Sequence, residues 1–227
     1  MNQSILHIEN LSIGRKFALF ENISLDVLQA GLIVLSGPNG IGKSTLLKTI
    51  TGLIPALNGT ISIHDQAVRP DNRKMLAKLV AYVNTDRVRD EYITVMDLVR
   101  FGQFPYLNNQ SSNVSEQMLD EAMEMLSLNL ISGKYLNQVS DGEWQKANIA
   151  RALAQNTPLI VMDEPSAFLD YPSKIKLFND LKRIAETKSK LIICSTHDIE
   201  IANRFAHSYW HLDQHGFKIS STAPDWL

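Results

Sequence analysis

Residues 37–45 read Gly-Pro-Asn-Gly-Ile-Gly-Lys-Ser-Thr, and these residue types at this spacing are suited to holding phosphate. Gly37, four intervening positions, then Gly42, Lys43 and Ser44 follow the phosphate-loop (Walker A) pattern. Glycines allow a tight turn in which successive backbone N–H groups surround a phosphate with no Cβ in the way. Pro38, Asn39, Gly40, Ile41 and Thr45 fill out the loop that would line the nucleotide. Lys43 would reach the β- and γ-phosphates, and the Ser44 hydroxyl would ligate Mg2+. An apolar run, Leu32 to Leu35, precedes the loop, and the helix-prone Leu46 to Ile50 follows it. That strand–loop–helix context makes the pattern meaningful: a nucleoside triphosphate is the expected ligand.

Three further segments carry residues able to act on such a ligand. Leu159 to Met162 is a second apolar strand, ending in Asp163 and Glu164. In a phosphate-loop enzyme the Asp would stand beside Mg2+, and Glu164 would polarise the attacking water as general base. Carboxylates at strand ends are common, so this pair gains its meaning from the loop upstream. His197 follows the strand Leu191 to Ser195, where an open α/β sheet binds its ligands, and could hydrogen-bond a γ-phosphate. Val139-Ser140-Asp141-Gly142-Glu143 precedes a helical run. It reads either as an N-cap with acidic first-turn residues or as a second phosphate-binding surface built from Ser140 and Gly142.

These segments need elements to hold them. Alternation in Leu6 to Leu11 and Ile23 to Val27 predicts short strands near the N-terminus, with another in 58–65 and a buried one in Leu79 to Val83. From about residue 86 the period becomes helical: Thr94 would cap one helix, and Ser115 a longer one with Met118, Leu119, Ala122, Met123 and Leu126 inward. Gln103 to Asn113, with Pro105, asparagines and serines, reads as an exposed loop. Helices are expected over 144–155, 173–188 and 199–205, alternating with the strands at 159–162 and 191–195. Buried strands alternating with helices predict a mostly parallel sheet covered on both faces.

At 227 residues the chain can bury a large core, and 44% hydrophobic with 20% charged residues is the balance of a globular protein. A formal charge of −2 gives no overall electrostatic footprint for nucleic acid. One cysteine, Cys194, sits in a strand and reads as a small core residue. No signal-peptide pattern opens the chain and no apolar run is long enough to span a bilayer, so a cytoplasmic location is expected, with any membrane role supplied by partners.

Together the segments resemble the ATP-binding cassette (ABC) ATPase family, in the family's order along nearly the whole chain. The phosphate loop at 37–45 comes first, then a signature at 139–143 similar to Leu-Ser-Gly-Gly-Gln. Walker B follows at 159–164, then a D-loop-like Ser166-Ala167-Phe168-Leu169-Asp170 and the switch His197. The resemblance implies an α/β phosphate-loop NTPase (RecA-like) core from residues 1–85 and 144–227. It further implies an N-terminal antiparallel β region and an inserted helical subdomain over 86–143. It also implies an ATPase using ATP and Mg2+, working as a head-to-tail pair, most simply a homodimer. ATP would lie between the phosphate loop of one copy and Ser140 and Gly142 of the other.

Some positions depart from the family pattern. Asp141 replaces a glycine of the signature and Glu143 a glutamine; the reading preferred here is that Asp141 turns away and caps the helix. The glutamine expected after Val83 is missing, and Thr85 stands in its place as a candidate metal or water ligand. The adenine-stacking aromatic falls near Arg15, with Phe17 as the competing residue. Residues 92–106, with Thr94-Val95, Gly102 and Pro105-Tyr106, are similar to the matching stretch of importers for iron–siderophore, haem and cobalamin, although Gln103 stands where arginine is usual. That implies integral-membrane permease partners on the inner face of the cell membrane, and indirectly an extracytoplasmic solute-binding protein. The alternatives are a soluble single-cassette ATPase, such as one for iron–sulfur cluster assembly, or an exporter subunit.

Overall fold

A computed structural model describes residues 4–84, 90–106 and 112–222. The N-terminal part forms strands β1 (Leu6–Gly14), β2 (Ala18–Val27) and β3 (Gly31–Ser36), then helix α1 (Lys43–Ile50). Strands β4 (Asn58–Ile63) and β5 (Gln66–Ala67) follow, then α2 (Arg73–Leu79) and β6 (Val80–Val83). A helical stretch comes next: α3 (Val95–Arg100), a 3-10 turn over Phe101–Tyr106, and α4 (Ser112–Met125). Helix α5 (Asp141–Ala154), β7 (Leu159–Met162), α6 (Tyr171–Thr187) and β8 (Leu191–Ser195) continue the chain. It closes with α7 (Ile199–Ala202) and the hairpin β9 (Ser208–Asp213) and β10 (Gly216–Ser220).

Two sheets result. One is antiparallel in the order β2-β1-β4-β5, and the other runs β10-β9-β3-β8-β7-β6. In the second, β9, β3, β8, β7 and β6 are mutually parallel, and only β10 is antiparallel. Side chains on β3 alternate between two cores. Leu32 and Val34 face a core shared with α3, α4, α5 and α6, whereas Ile33 and Leu35 face one shared with α1 and the antiparallel sheet. A strand buried on both faces is apolar throughout, as the unbroken Leu32 to Leu35 run requires. So one face carries helices, and the other carries α1 together with the antiparallel sheet.

Several local expectations need correction. Helix α4 begins at Ser112, so Ser115 lies inside its first turn and is not the cap. Gln103 to Tyr106 are not an exposed loop: they belong to the 3-10 turn, and Gln103 is buried. A Cβ on Gly102 would fall 2.1 Å from the Arg151 carbonyl oxygen, so the turn lies directly against α5. Ser112 and Asn113, expected in the same loop, instead open α4, and 107–111 lie outside the described residues, as does Thr85. Helix α7 stops at Ala202, short of the expected Phe205. The hairpin β9–β10 and helix α2 have no counterpart among the sequence expectations.

Candidate nucleotide site

Strand register builds the site. Leu35 at the end of β3 pairs with Ser195 at the end of β8, and Cys194 pairs with Met162 at the end of β7. The residues just past these pairs are the phosphate loop, His197, Asp163 and Glu164, and all emerge at one carboxyl edge of the parallel sheet. Open α/β sheets bind their ligands at this edge.

The loop itself is shaped by backbone constraints. Gly37 has φ 144°, and a Cβ there would lie 2.4 Å from the Leu212 carbonyl oxygen of β9. Gly42 precedes α1 with φ 122° and offers no side-chain cap, and the first turn of α1 carries no acidic residue. The helix N-terminus therefore keeps its partial positive charge and N–H groups for an anion. Lys43 is buried, with its ammonium donating to the carbonyls of Gly37 at 2.7 Å and Pro38 at 3.1 Å. Burial pushes its pKa down, opposed by the negative charges of Glu164 and Asp163.

Asp163 and Glu164 are adjacent but held differently. Asp163 accepts from the Ser195 hydroxyl at 2.7 Å through one oxygen and from the Tyr82 hydroxyl at 3.3 Å through the other. Glu164 has φ 50°, a left-handed conformation unusual outside glycine, and its N–H donates to Ser195 Oγ at 2.9 Å. Its Oε1 lies 2.9 Å from His197 Nε2. Burial raises the Glu164 pKa, against the lowering effect of His197 and Lys43. His197 Nε2 is also 3.5 Å from Lys43 Nζ. Asn39, Gly40, Gly42, Lys43, Ser44, Thr45, Glu164 and His197 line one open pocket.

Ser140 and Gly142 are not in it. They line a different pocket between α5 and α6, with Leu169 and Lys146. Ser140 is the N-cap of α5: its hydroxyl accepts from Glu143 N–H at 3.3 Å, and its own N–H donates to the Glu143 carboxylate at 2.7 Å. This capping box corrects the expectation for Asp141, which is the first residue of the helix and not its cap. It also explains Glu143, whose carboxylate closes the box. Hydrogen bonding to Ser140 holds the Glu143 pKa below the ordinary carboxylate value.

Arg15 and Phe17 sit in the turn joining β1 to β2, with Phe17 84% exposed. Residues not singled out from the sequence approach the loop instead: a Cβ on Gly42 would lie 3.4 Å from Leu19 and 3.5 Å from Phe20. Ser195 and Tyr82 were also missed. A polar residue closing the apolar run Leu191 to Cys194 was the available signal for Ser195; Tyr82 offered none, because a tyrosine in a strand is ordinary. Ser166 and Thr196 hydroxyls lie 3.1 Å apart, and Asp198 accepts from Ser166 at 2.6 Å and from Lys174 at 2.7 Å. The segment after Walker B is thereby tied to the His197 loop.

The fold and this edge define a phosphate-loop nucleotide-binding α/β protein. A profile described as ABC transporter matches residues 20–167. An ABC transporter ATP-binding protein of Methanocaldococcus jannaschii, MJ0873, is 36% identical over 205 residues, which are 89% of this chain and 71% of that protein. YclP of Bacillus subtilis, named a petrobactin import ATP-binding protein, is 33% identical over 204 residues, 89% of this chain and 81% of its own length. Among solved structures, cbiO1 from Clostridium perfringens, part of the ABC transporter complex cbiONQ, aligns with a TM-score of 0.85 at 20% identity. That likeness of fold covers 96% of this chain and 89% of the other. The chain belongs to the ABC transporter family and is an ATP-binding cassette ATPase.

Proposed function

We propose that this chain is the ATP-hydrolysing subunit of an importer for metal chelates of the siderophore, haem or cobalamin type. It would drive integral-membrane permease subunits from the cytoplasmic face, in concert with a solute-binding protein outside. The named import function of YclP supports import over export or a purely soluble role. No helix among the described residues is long and apolar enough to cross a membrane, which suits a subunit that borrows its pathway from partners.

One observation carries the mechanistic reading: the phosphate-loop pocket contains no residue of 139–143, while Ser140 and Gly142 line a separate pocket. A second copy docked head to tail brings its Ser140 and Gly142 to the γ-phosphate, so ATP closes the pair. Contacts made only in the closed pair give the differential binding that a conformational shift requires. In this reading the division expected from the sequence is kept, with an arm over 86–143 carrying the signature and a core of 1–85 and 144–227 carrying the phosphate loop. Ser44 and Asp163 would hold Mg2+: a hydroxyl and a carboxylate oxygen are hard donors, and each Asp163 oxygen keeps a free lone pair. When bound, Mg2+ neutralises charge on the transferring phosphoryl group. Glu164, whose pKa burial raises, orients and deprotonates the attacking water; His197 contacts the γ-phosphate.

Glu164→Gln tests this. The variant binds ATP, turns over orders of magnitude more slowly, and accumulates an ATP-dependent dimer on size exclusion. Rapid hydrolysis, or a monomer at saturating ATP, would remove the proposal.

A further inference from the structure

We infer that Ser195 is the positioning residue that sets both acids of the site at once, with Tyr82 holding Asp163 from its other side. The inference rests on the ATPase reading above and extends it to two residues that do not line the phosphate-loop pocket.

One hydroxyl does two things. Ser195 Oγ donates to Asp163 Oδ1 at 2.7 Å and accepts the Glu164 N–H at 2.9 Å. Its donor and one acceptor site are therefore both used, in the chain Glu164 N–H to Ser195 O–H to Asp163 carboxylate. Ser195 is fully buried, so no solvent molecule can take over either bond. The Glu164 bond matters because φ is 50° there, a conformation a glutamate keeps only where its surroundings enforce it. This N–H bond and the bond from Ala167 N–H to the Glu164 carbonyl at 3.1 Å hold that backbone. The strained backbone brings the carboxylate to within 2.9 Å of His197 in the pocket.

The parallel register makes Ser195 the residue available for this task. Met162 and Cys194 are partners across β7 and β8, so Ser195 is level with Asp163, one residue beyond the pair. Tyr82 acts from the opposite flank: Val83 pairs with Met162 on β6 and β7, and the tyrosine hydroxyl reaches Asp163 Oδ2 at 3.3 Å. Tyr82 also lines the groove formed by Thr51, Arg73, Leu76, Ala77 and Gln155. Asp163 is thus fixed by two hydroxyls from its two neighbouring strands, and Glu164 by only one.

That asymmetry gives two variants with different signatures. Tyr82→Phe removes one of the two hydroxyls that hold Asp163 and leaves the Ser195 bond to Glu164 in place. The Mg2+ concentration needed for binding of a non-hydrolysable ATP analogue, followed by calorimetry, rises several-fold, and kcat at saturating Mg2+ falls less than in Ser195→Ala. Ser195→Ala releases both acids. Its Mg2+ requirement for analogue binding rises in the same way, and kcat at saturating Mg2+ and ATP falls by roughly 10- to 100-fold. Binding of the analogue without Mg2+, made by the phosphate loop, stays unchanged in both. Ser195→Thr, which keeps the hydroxyl, restores kcat. Thermal melting checks that each variant is folded, and metal-free binding separates a misfolded protein from a misaligned site. Wild-type Mg2+ dependence and wild-type kcat in a folded Ser195→Ala protein would overturn the inference while leaving the ATPase reading intact. Absence of nucleotide binding in the unaltered protein would instead overturn that reading.

Discussion

At the scale of single residues, Lys43 has the most constrained position in the site. Its ammonium is buried and donates to the carbonyls of Gly37 and Pro38, which pin the loop around it. Burial alone disfavours the charge, and Glu164 and Asp163 oppose that tendency. A triphosphate supplies far more negative charge than either carbonyl, so the cation's interaction is strongest where phosphate charge develops. Lys43→Ala is expected to lose about 2.7–4 kcal/mol of transition-state stabilisation, as for other oriented charge-stabilising contacts. That is roughly a 100- to 1,000-fold fall in kcat/KM, measured by phosphate release. Unchanged turnover would mean that residues 37–45 do not hold the phosphates. The sequence displayed this residue plainly, because glycine spacing and a following lysine survive as a linear pattern. Ser195 and Tyr82 did not, because their importance comes from strand pairing across β6, β7 and β8, which no linear spacing encodes.

At the scale of elements, two helices begin with the same device and differ in what lies beyond it. Thr94 and Ser140 each cap a helix and each form a reciprocal box, with Asp97 and Glu143 three residues on. Ser140→Ala and Thr94→Ala should each cost about 1 kcal/mol of stability through loss of the cap. For a chain of this size that is a fall of about 2–4 °C in melting temperature. Only Ser140→Ala should also reduce ATP turnover, because only that cap is proposed to meet a partner's nucleotide. Equal turnover in the two variants would assign Ser140 a purely structural part. Helix starts of this kind were legible: Thr94, the strand Leu159–Met162 and the strand Leu191–Ser195 stand where the pattern puts them. The loop reading misled at Gln103 to Tyr106, where Gly102 brings the segment against the Arg151 carbonyl and the residues form a 3-10 turn. Tertiary packing overrode local composition there. Asp141 misled for a different reason, since two polar residues compete for one cap and the sequence does not say which wins.

At the scale of the whole molecule, the parallel sheet separates function from stability along its strands. The carboxyl edge carries the phosphate loop, Asp163, Glu164 and His197; the amino edge carries Lys190, immediately before β8. Lys190 is buried there, its ammonium donating to Asn156 Oδ1 at 2.8 Å and its carbonyl accepting from Gly31 N–H at 3.1 Å. Burial, with repulsion from Lys188, lowers its pKa from 10.5 to about 8. Below about pH 8 both folded and unfolded chains hold the proton, and the folded state bears the cost of a buried charge. Between about 8 and 10.5 the unfolded chain keeps the proton and the folded chain has released it. The unfolded state then binds more protons, so this residue makes stability rise with pH, by at most about 1.4 kcal/mol per pH unit. Above 10.5 both are neutral and the slope vanishes. Lys190→Met removes the titration. Urea unfolding of the two proteins at pH 7 and pH 10 should therefore show the variant's relative stability falling as pH rises, because only the wild type gains. The same substitution leaves ATP turnover unchanged, since it sits at the opposite end of the strand from the acids. A stability difference that does not vary between those two pH values would mean that the Lys190 ammonium is as well solvated in the folded protein as in the unfolded chain.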